Sequence, residues 1–234
     1  MNWGMMRNLW IDIWELFFPR YCVVCGKRLL QGEDHLCFRC LSGLPRTKLH
    51  LHPDNEMEKN LWGKMPLVRA ASLLYYAKGN ETQKVLYELK YYGNAKLGLF
   101  LGKWMAAELG AFFEGVDYIV PVPLHEKKKR KRGYNQSEML AQGLSVETGI
   151  PVVAHGLVRN DYTETQTHKG NYERWENVRN VFACVNREAF EGKHILLVDD
   201  VVTTGASVVA CADALTDMPG LRISVLSFAL AGHS

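Results

Sequence analysis

The sequence predicts an α/β protein with a doubly wound, parallel-sheet core and a small four-cysteine ribbon ahead of it. Three observations carry this reading. Residues 195–198 form a short unbroken apolar run, the pattern of a strand buried on both faces. The run ends on Asp199 and Asp200, and a bend of small residues, Thr203-Thr204-Gly205-Ala206-Ser207, leads into an Ala- and Val-rich helix start at 208–215. Strand, acid pair, bend and helix in that order make up a ligand-binding carboxyl edge of an open α/β sheet. Third, Cys22-Val23-Val24-Cys25-Gly26 and Cys37-Phe38-Arg39-Cys40 are two C-x-x-C knuckles eleven residues apart.

At 234 residues, 47% hydrophobic and 23% charged, the chain can bury one full core and carry a small appendage. The expected organisation is an amphipathic helix and ribbon at 1–45, a connector at 46–66 and the main domain at 67–234. The formal net charge is +3, yet residues 127–132 alone hold six positive charges. The rest of the chain is therefore net acidic, and a non-specific grip on nucleic acid by the whole surface is not supported.

Residues 1–18 are apolar, but Asp12 and Glu15 interrupt them and no small-residue cleavage site follows. They read as neither a signal peptide nor a membrane span. Trp3, Met6, Trp10, Ile13, Trp14 and Phe17 share one face of a helical wheel. A helix docked on the protein's own core is expected, with a partner or membrane surface as the alternative. The scarcity of Lys and Arg on its polar face argues against anionic lipid.

Cys22, Cys25, Cys37 and Cys40 supply four thiolates at spacings a tetrahedral Zn²⁺ accepts. Four protein ligands close the site, so the zinc is expected to be structural and to drive local folding. Redox chemistry is the weaker reading, since no thioredoxin-like βαβ pattern surrounds the pairs. Cys184 and Cys211 read as buried small hydrophobes. Paired metal-type cysteines indicate a reducing compartment, the cytoplasm.

Beyond the proline-containing connector, which has a short helix expected near Asn55 to Leu61, residues 70–77 read as a strand, 81–91 as a helix and 97–113 as a second amphipathic helix. Lys90 reads as a solvated helix lysine, with a phosphate contact as the alternative. A strand at 117–123 must end at Pro121 and Pro123, which cannot sit in a central ladder. Lys127, Lys128, Lys129, Arg130, Lys131 and Arg132 form a basic loop. At the mouth of a phosphate site such a run attracts a polyphosphate or a nucleic-acid backbone, and Tyr134 beside it can stack on a base. A helix follows from about 133 to 148, then a short strand within 151–160. Residues 163–182 are polar and long for a plain loop, which favours a functional lid. Residues 221–230 make a closing strand.

The chemistry of the acidic strand is specific. Small residues let the backbone approach a phosphate, and unpaired N–H groups at a helix N-terminus favour an anion. Thr203, Thr204 and Ser207 add hydroxyl donors. Asp199 and Asp200 repel phosphate, so they suit sugar hydroxyls or a Mg²⁺ shared with the ligand. Phosphate, diol and metal together describe a phosphorylated ribose.

This stretch resembles the phosphoribosyl-pyrophosphate (PRPP) loop of the type I phosphoribosyltransferases. The resemblance implies that fold, with Asp199 and Asp200 on the ribose diol and Thr203, Thr204, Gly205, Ala206 and Ser207 on the 5′-phosphate. It also implies Mg²⁺ with PRPP, and pyrophosphate at Pro123, Leu124 and His125. Arg159 and the position of the flexible catalytic loop, with Gln166, Tyr172, Arg174 and Asn177, would close over the site. Val120-Pro121-Val122-Pro123 is similar to the amidophosphoribosyltransferase turn. The chain opens Met-Asn with no glutaminase segment ahead of the motif, so a glutamine-dependent amidotransferase is not expected of this chain alone.

The whole set resembles the ComF/GntX family: the four-cysteine ribbon, Lys90-Tyr91-Tyr92-Gly93, the Val-Pro-Val-Pro turn, Arg132-Gly133-Tyr134-Asn135-Gln136, Thr165-Gln166 to Phe182, and the acidic strand. In the ComF branch the resemblance implies a part in natural transformation, with imported single-stranded DNA and the DNA-uptake machinery as partners. Three functions are open on the sequence: a PRPP-binding protein of DNA uptake, an active phosphoribosyltransferase with an unidentified acceptor, and a zinc-ribbon adaptor that has lost catalysis.

Overall fold

A computed structural model of the chain describes residues 19–160 and 181–232. The chain divides into two compact units, Met1–Leu44 and Pro45–Ser234. In the smaller unit a tight turn brings Tyr21 into an antiparallel bridge with Arg28, and a short helix α1 spans Phe38–Gly43. The N-terminal helix expected at 1–18 lies outside the described residues.

The larger unit is built on a four-stranded sheet. Its strands are β1 (Ala70–Tyr76), β2 (Tyr118–Pro121), β5 (His194–Val202) and β6 (Arg222–Ala231), in the order β1-β6-β5-β2. Every pairing is parallel. β5 is a central strand, and Ile195, Leu196, Leu197 and Val198 are fully buried, as their unbroken apolar run requires. β2 ends the sheet, where Pro121 removes no ladder bond from a central position. A separate antiparallel pair, β3 (Leu157–Arg159) and β4 (Phe182–Cys184), stands beside it.

Residues 46–66, expected as a connector with a short helix near 55–61, contain that helix and pack on β1. Arg46 bridges Leu74. Helix α2 (Glu56–Leu61) starts in a capping box, where the buried Asn55 side chain accepts from the Met57 and Glu58 N–H groups. Asn55 Nδ2 donates to the Ala70 carbonyl at 2.9 Å, and the Glu58 carboxylate accepts from the Ala70 N–H at 3.1 Å. The box satisfies helix donors and ties α2 to the first residue of β1.

Helices α3 (Glu81–Tyr91), α4 (Ala95–Leu109) and α6 (Gln136–Thr148) each begin at an asparagine whose side chain accepts from the first turn: Asn80, Asn94 and Asn135. The helix expected at 97–113 stops at Leu109. Gly110, at φ +40°, breaks it, and residues 110–113 form a tighter 3-10 turn. α4 and α6 approach backbone to backbone. A Cβ on Gly102 would overlap the Leu140 carbonyl, and one on Gly143 would overlap the Leu99 carbonyl. Only glycine permits this approach. Gly143→Ala is expected to destabilise the protein by about 2 kcal/mol, because overpacking costs more than the helix propensity that alanine regains. An unchanged urea midpoint would show that the helices do not meet here.

Candidate functional site

The carboxyl ends of the parallel strands β2 and β5 open on one edge of the sheet. β5 delivers Asp199 and Asp200 there, half-buried. Asp199 Oδ1 accepts from the Ser137 hydroxyl at 3.0 Å and from the Asp200 N–H at 2.8 Å. Burial, and then the neighbouring Asp200 carboxylate, push Asp199 up to about 7. The Asp200 N–H, the Ser137 hydroxyl and Lys90 pull the other way. Ser137 opens α6 and is buried. It is held where the Asn135 side chain caps the helix and donates to the Val122 carbonyl at 3.0 Å. One asparagine thus ties the end of β2 to the hydroxyl that meets Asp199.

Lys90 corrects an expectation. It is not a solvated helix lysine: its Nζ lies 3.2 Å from Asp200 Oδ2, and both side chains are largely buried. The last turn of α3 therefore reaches the acid pair and offsets part of its charge.

Beyond β5 the bend carries Thr203, Thr204, Ala206 and Ser207 to solvent, with Gly205 buried beneath. The bend lines a recess of about 50 Å³ together with Asp199 and residues 201–202. Gly205 sits at φ +80° and starts α7 (Ala206–Asp213), a helix whose first turn receives no side-chain cap. The N–H groups of that first turn therefore lack an acceptor from the cap position, beside the recess. The bend is supported from behind by α2. Asn60 Nδ2 donates to the Thr203 carbonyl at 3.2 Å, and a Cβ on Gly205 would come within 2.6 Å of Leu61 Cδ2. Positive φ and close packing together demand glycine.

The turn after β2 holds Pro123, Leu124 and His125 half-buried at the same edge. The Val122 N–H donates to the Val198 carbonyl at 2.9 Å, which fixes the turn against the start of the acid pair. His125 Nδ1 accepts from the Lys127 N–H at 3.1 Å and caps a helix, α5 (Glu126–Arg132). The basic run is thus a helix and not the expected loop. Glu126 in its first turn and the cations in its last both suit the helix dipole, and Gly133 at φ +83° ends it. Lys127, Lys128, Arg130 and Lys131 are exposed, while Lys129 and Arg132 are half-buried. Tyr134 is half-buried, and its hydroxyl donates to the Leu89 carbonyl at 2.5 Å. Arg159 ends β3 with its guanidinium 5.4 Å from the Phe182 ring centre. Gln166, Tyr172, Arg174 and Asn177 lie outside the described residues.

In the smaller unit, one sulfur from each of Cys22, Cys25, Cys37 and Cys40 falls within 4.8 Å of the others. Cys25 and Cys37 are 3.8 Å apart, sulfur to sulfur, the edge of a tetrahedron with metal–sulfur bonds of about 2.3 Å. Burial opposes ionisation of Cys22, yet N–H groups of Cys25, Cys37 and Val24 aimed at its sulfur bring it down to about 7. The donor set suits a thiophilic metal ion. Glu33, which no sequence pattern singles out, organises the unit. Its carboxylate accepts from the Leu30 and Phe38 N–H groups at 2.7 and 2.8 Å, linking the inter-knuckle turn to α1. These bonds hold its carboxyl below the usual range. Of the remaining cysteines, Cys211 is fully buried and Cys184 half-buried.

A parallel sheet with helices packed on it, an acid pair at the end of a central strand and a hydroxyl-bearing bend into a helix define the type I phosphoribosyltransferase fold. The chain belongs to the ComF/GntX family, here with the four-cysteine cluster ahead of that fold. It is 30% identical over 199 residues to the DNA utilization protein YhgH of Salmonella typhi, covering 83% of each chain. It is 27% identical over 212 residues to the competence protein ComFC of Bacillus subtilis, covering 90% of this chain and 83% of that one. Competence protein F of Haemophilus influenzae is 34% identical over 114 residues, about half of each chain. No family model matches. Among solved structures, a glutamine PRPP amidotransferase from B. subtilis aligns at a TM-score of 0.45 and 24% identity, over 61% of this chain and 30% of that one. An adenine phosphoribosyltransferase aligns at 0.35 and 18%, over 61% and 74%. No helix among the described residues is long and apolar enough to cross a membrane.

Proposed function

We propose that this protein binds PRPP with Mg²⁺ at the 199–207 edge and handles imported single-stranded DNA during natural transformation, in the cytoplasm. The observation that carries the first part is the bend itself. Gly205 is buried under Leu61, while Thr203, Thr204 and Ser207 are exposed and Asp199 lines the recess beside them. Asp199 and Asp200 take the ribose hydroxyls and the cation, the bend takes the 5′-phosphate, and Pro123, Leu124 and His125 meet the pyrophosphate. The basic helix α5 and the competence-named relatives support the second part. The metal of the four-cysteine cluster is a structural Zn²⁺, since four thiolates leave no open position for chemistry.

Isothermal calorimetry with PRPP and Mg²⁺ tests the ribose site. Millimolar or tighter binding is expected, weakened about tenfold or more by Asp200→Asn, which removes a charged ligand, and by a smaller factor in Ser207→Ala. No heat at millimolar PRPP would remove the proposal.

A second reading, an active phosphoribosyltransferase, draws on Asp199. A carboxyl held near 7 is matched to proton transfer at neutral pH. Pyrophosphate release in the presence of candidate acceptors distinguishes transfer from binding alone.

A further inference from the structure

The outer face of α3 carries an aromatic cluster that the ribose site does not use. Tyr87 and Tyr91 lie one helical turn apart with ring centres 4.7 Å from each other, and Tyr92 stands edge-on, 5.9 Å from Tyr87. The three residues are 55%, 54% and 67% exposed. They contribute little to the core, because Val85, Leu86 and Leu89 fill the buried face of the same helix.

The cluster meets the basic helix at one point. The Arg132 guanidinium lies 5.5 Å from the Tyr91 ring centre, and Gln136 Oε1 holds it in place at 2.7 Å. Arg132 is the last residue of α5, so the helix that exposes Lys127, Lys128, Arg130 and Lys131 ends at the tyrosine cluster. On the same turn of α3, Lys90 touches Asp200, so the cluster borders the ribose site.

Aromatic faces beside a run of cations match one chemistry: unpaired bases on a polyanionic backbone. Stacking on tyrosine needs open base faces, which a duplex hides and a single strand offers. An apolar protein partner would bury the tyrosine hydroxyls and the neighbouring cations along with the rings, at a desolvation cost.

We propose that Tyr87, Tyr91 and Tyr92 form a stacking platform for the bases of a single-stranded nucleic acid whose phosphates follow α5. The proposal deepens the single-strand part of the function above and rests on it. It moves the stacking role from Tyr134, whose hydroxyl is tied to Leu89, to rings that are open.

The test is fluorescence anisotropy of a labelled oligothymidylate of about 20 nucleotides, longer than one binding site, with the full-length, metal-loaded protein. Tyr91→Ala and Tyr92→Ala are each expected to weaken binding about fivefold or more. Tyr91→Phe keeps the ring and the affinity. The tyrosine variants keep the parent salt dependence. Replacing Lys127, Lys128, Arg130 and Lys131 by glutamine flattens it, by about 0.7 in log–log slope for each phosphate no longer neutralised. Alanine variants that bind like the parent would overturn the platform alone. Equal competition by a duplex of the same length, or by thymidine monophosphate, would do the same. A parent protein that binds PRPP but no oligothymidylate would overturn the platform and the single-strand reading together, leaving the ribose site standing.

Discussion

Removal of the Zn²⁺ proposed for the four-cysteine cluster is expected to unfold residues 20–44. Chelation, or replacement of Cys37 by serine, should abolish amide protection around both knuckles and open the cluster's thiols to alkylation. The reason lies in what else holds the unit. Among its described residues the buried aliphatic side chains are few, Val24, Leu29, Leu36 and Leu44, and α1 is only six residues long, too short to persist unaided. Burial of those side chains returns about 1.5–3 kcal/mol each, less than the backbone entropy of ordering the segment at about 1 kcal/mol or more per residue, and a structural four-thiolate Zn²⁺ adds binding energy on the order of 10 kcal/mol. Glu33 adds two backbone bonds, which orient the knuckles once formed but cannot replace the crosslink. The measurement is hydrogen exchange before and after chelation, with released metal quantified by a chromogenic chelator. One Zn²⁺ per chain is expected. Protection that survives metal removal would show that the cluster is incidental to this unit.

What could be read from the sequence was what is contiguous in it. The strand, acid pair, bend and α7 occupy one run of the chain, and each piece has a local signature. The cysteine knuckles are likewise legible by spacing. The residues that complete the site come from elsewhere. Lys90 carries no local mark that separates it from a surface lysine, and its role depends on α3 ending beside β5. Ser137 looks like any helix-start serine until Asp199 is placed opposite it. The stretch 46–66 has a linker's composition, yet it supplies Asn60 and Leu61 behind the bend. One signal for it was present: Asn55 followed three residues later by Glu58 is a capping box. The basic run misled for a different reason. Six like charges suggest a solvated loop, but Glu126 just ahead of them and Gly133 just after them are a first-turn acid and a helix stop. Exposure of Tyr87, Tyr91 and Tyr92 could not be read at all, since aromatics at helical spacing are equally the mark of a core.

Asp199→Asn is expected to stabilise the protein while disabling the proposed ribose site. Burial and the adjacent Asp200 raise Asp199 from its ordinary 3.8 to about 7. Between those values the folded protein holds a proton that the unfolded chain has released. Stability therefore falls as pH rises from about 4 to about 7, and above 7 the whole cost of the buried carboxylate is present. Because the side chain is half-buried and keeps some water, a cost of about 2 kcal/mol is reasonable, below what full desolvation would give. The amide carries no such charge. At pH 8 the variant should melt about 5 °C higher than the parent, and the gain should shrink on acidification and vanish by about pH 4. PRPP affinity should move the other way. The neutral amide cannot meet a cation and two hydroxyls as an anion does, so binding should weaken about tenfold or more. The parent's affinity should rise through neutral pH as Asp199 ionises, and the variant's should lack that component. The paired readouts separate two roles. A carboxylate kept only for packing would lose stability on substitution and leave ligand binding alone, whereas one kept for the ligand gives up stability in the free protein and recovers it when the ligand arrives. If parent and variant lose stability in parallel between pH 5 and 8, the strained carboxylate is not Asp199.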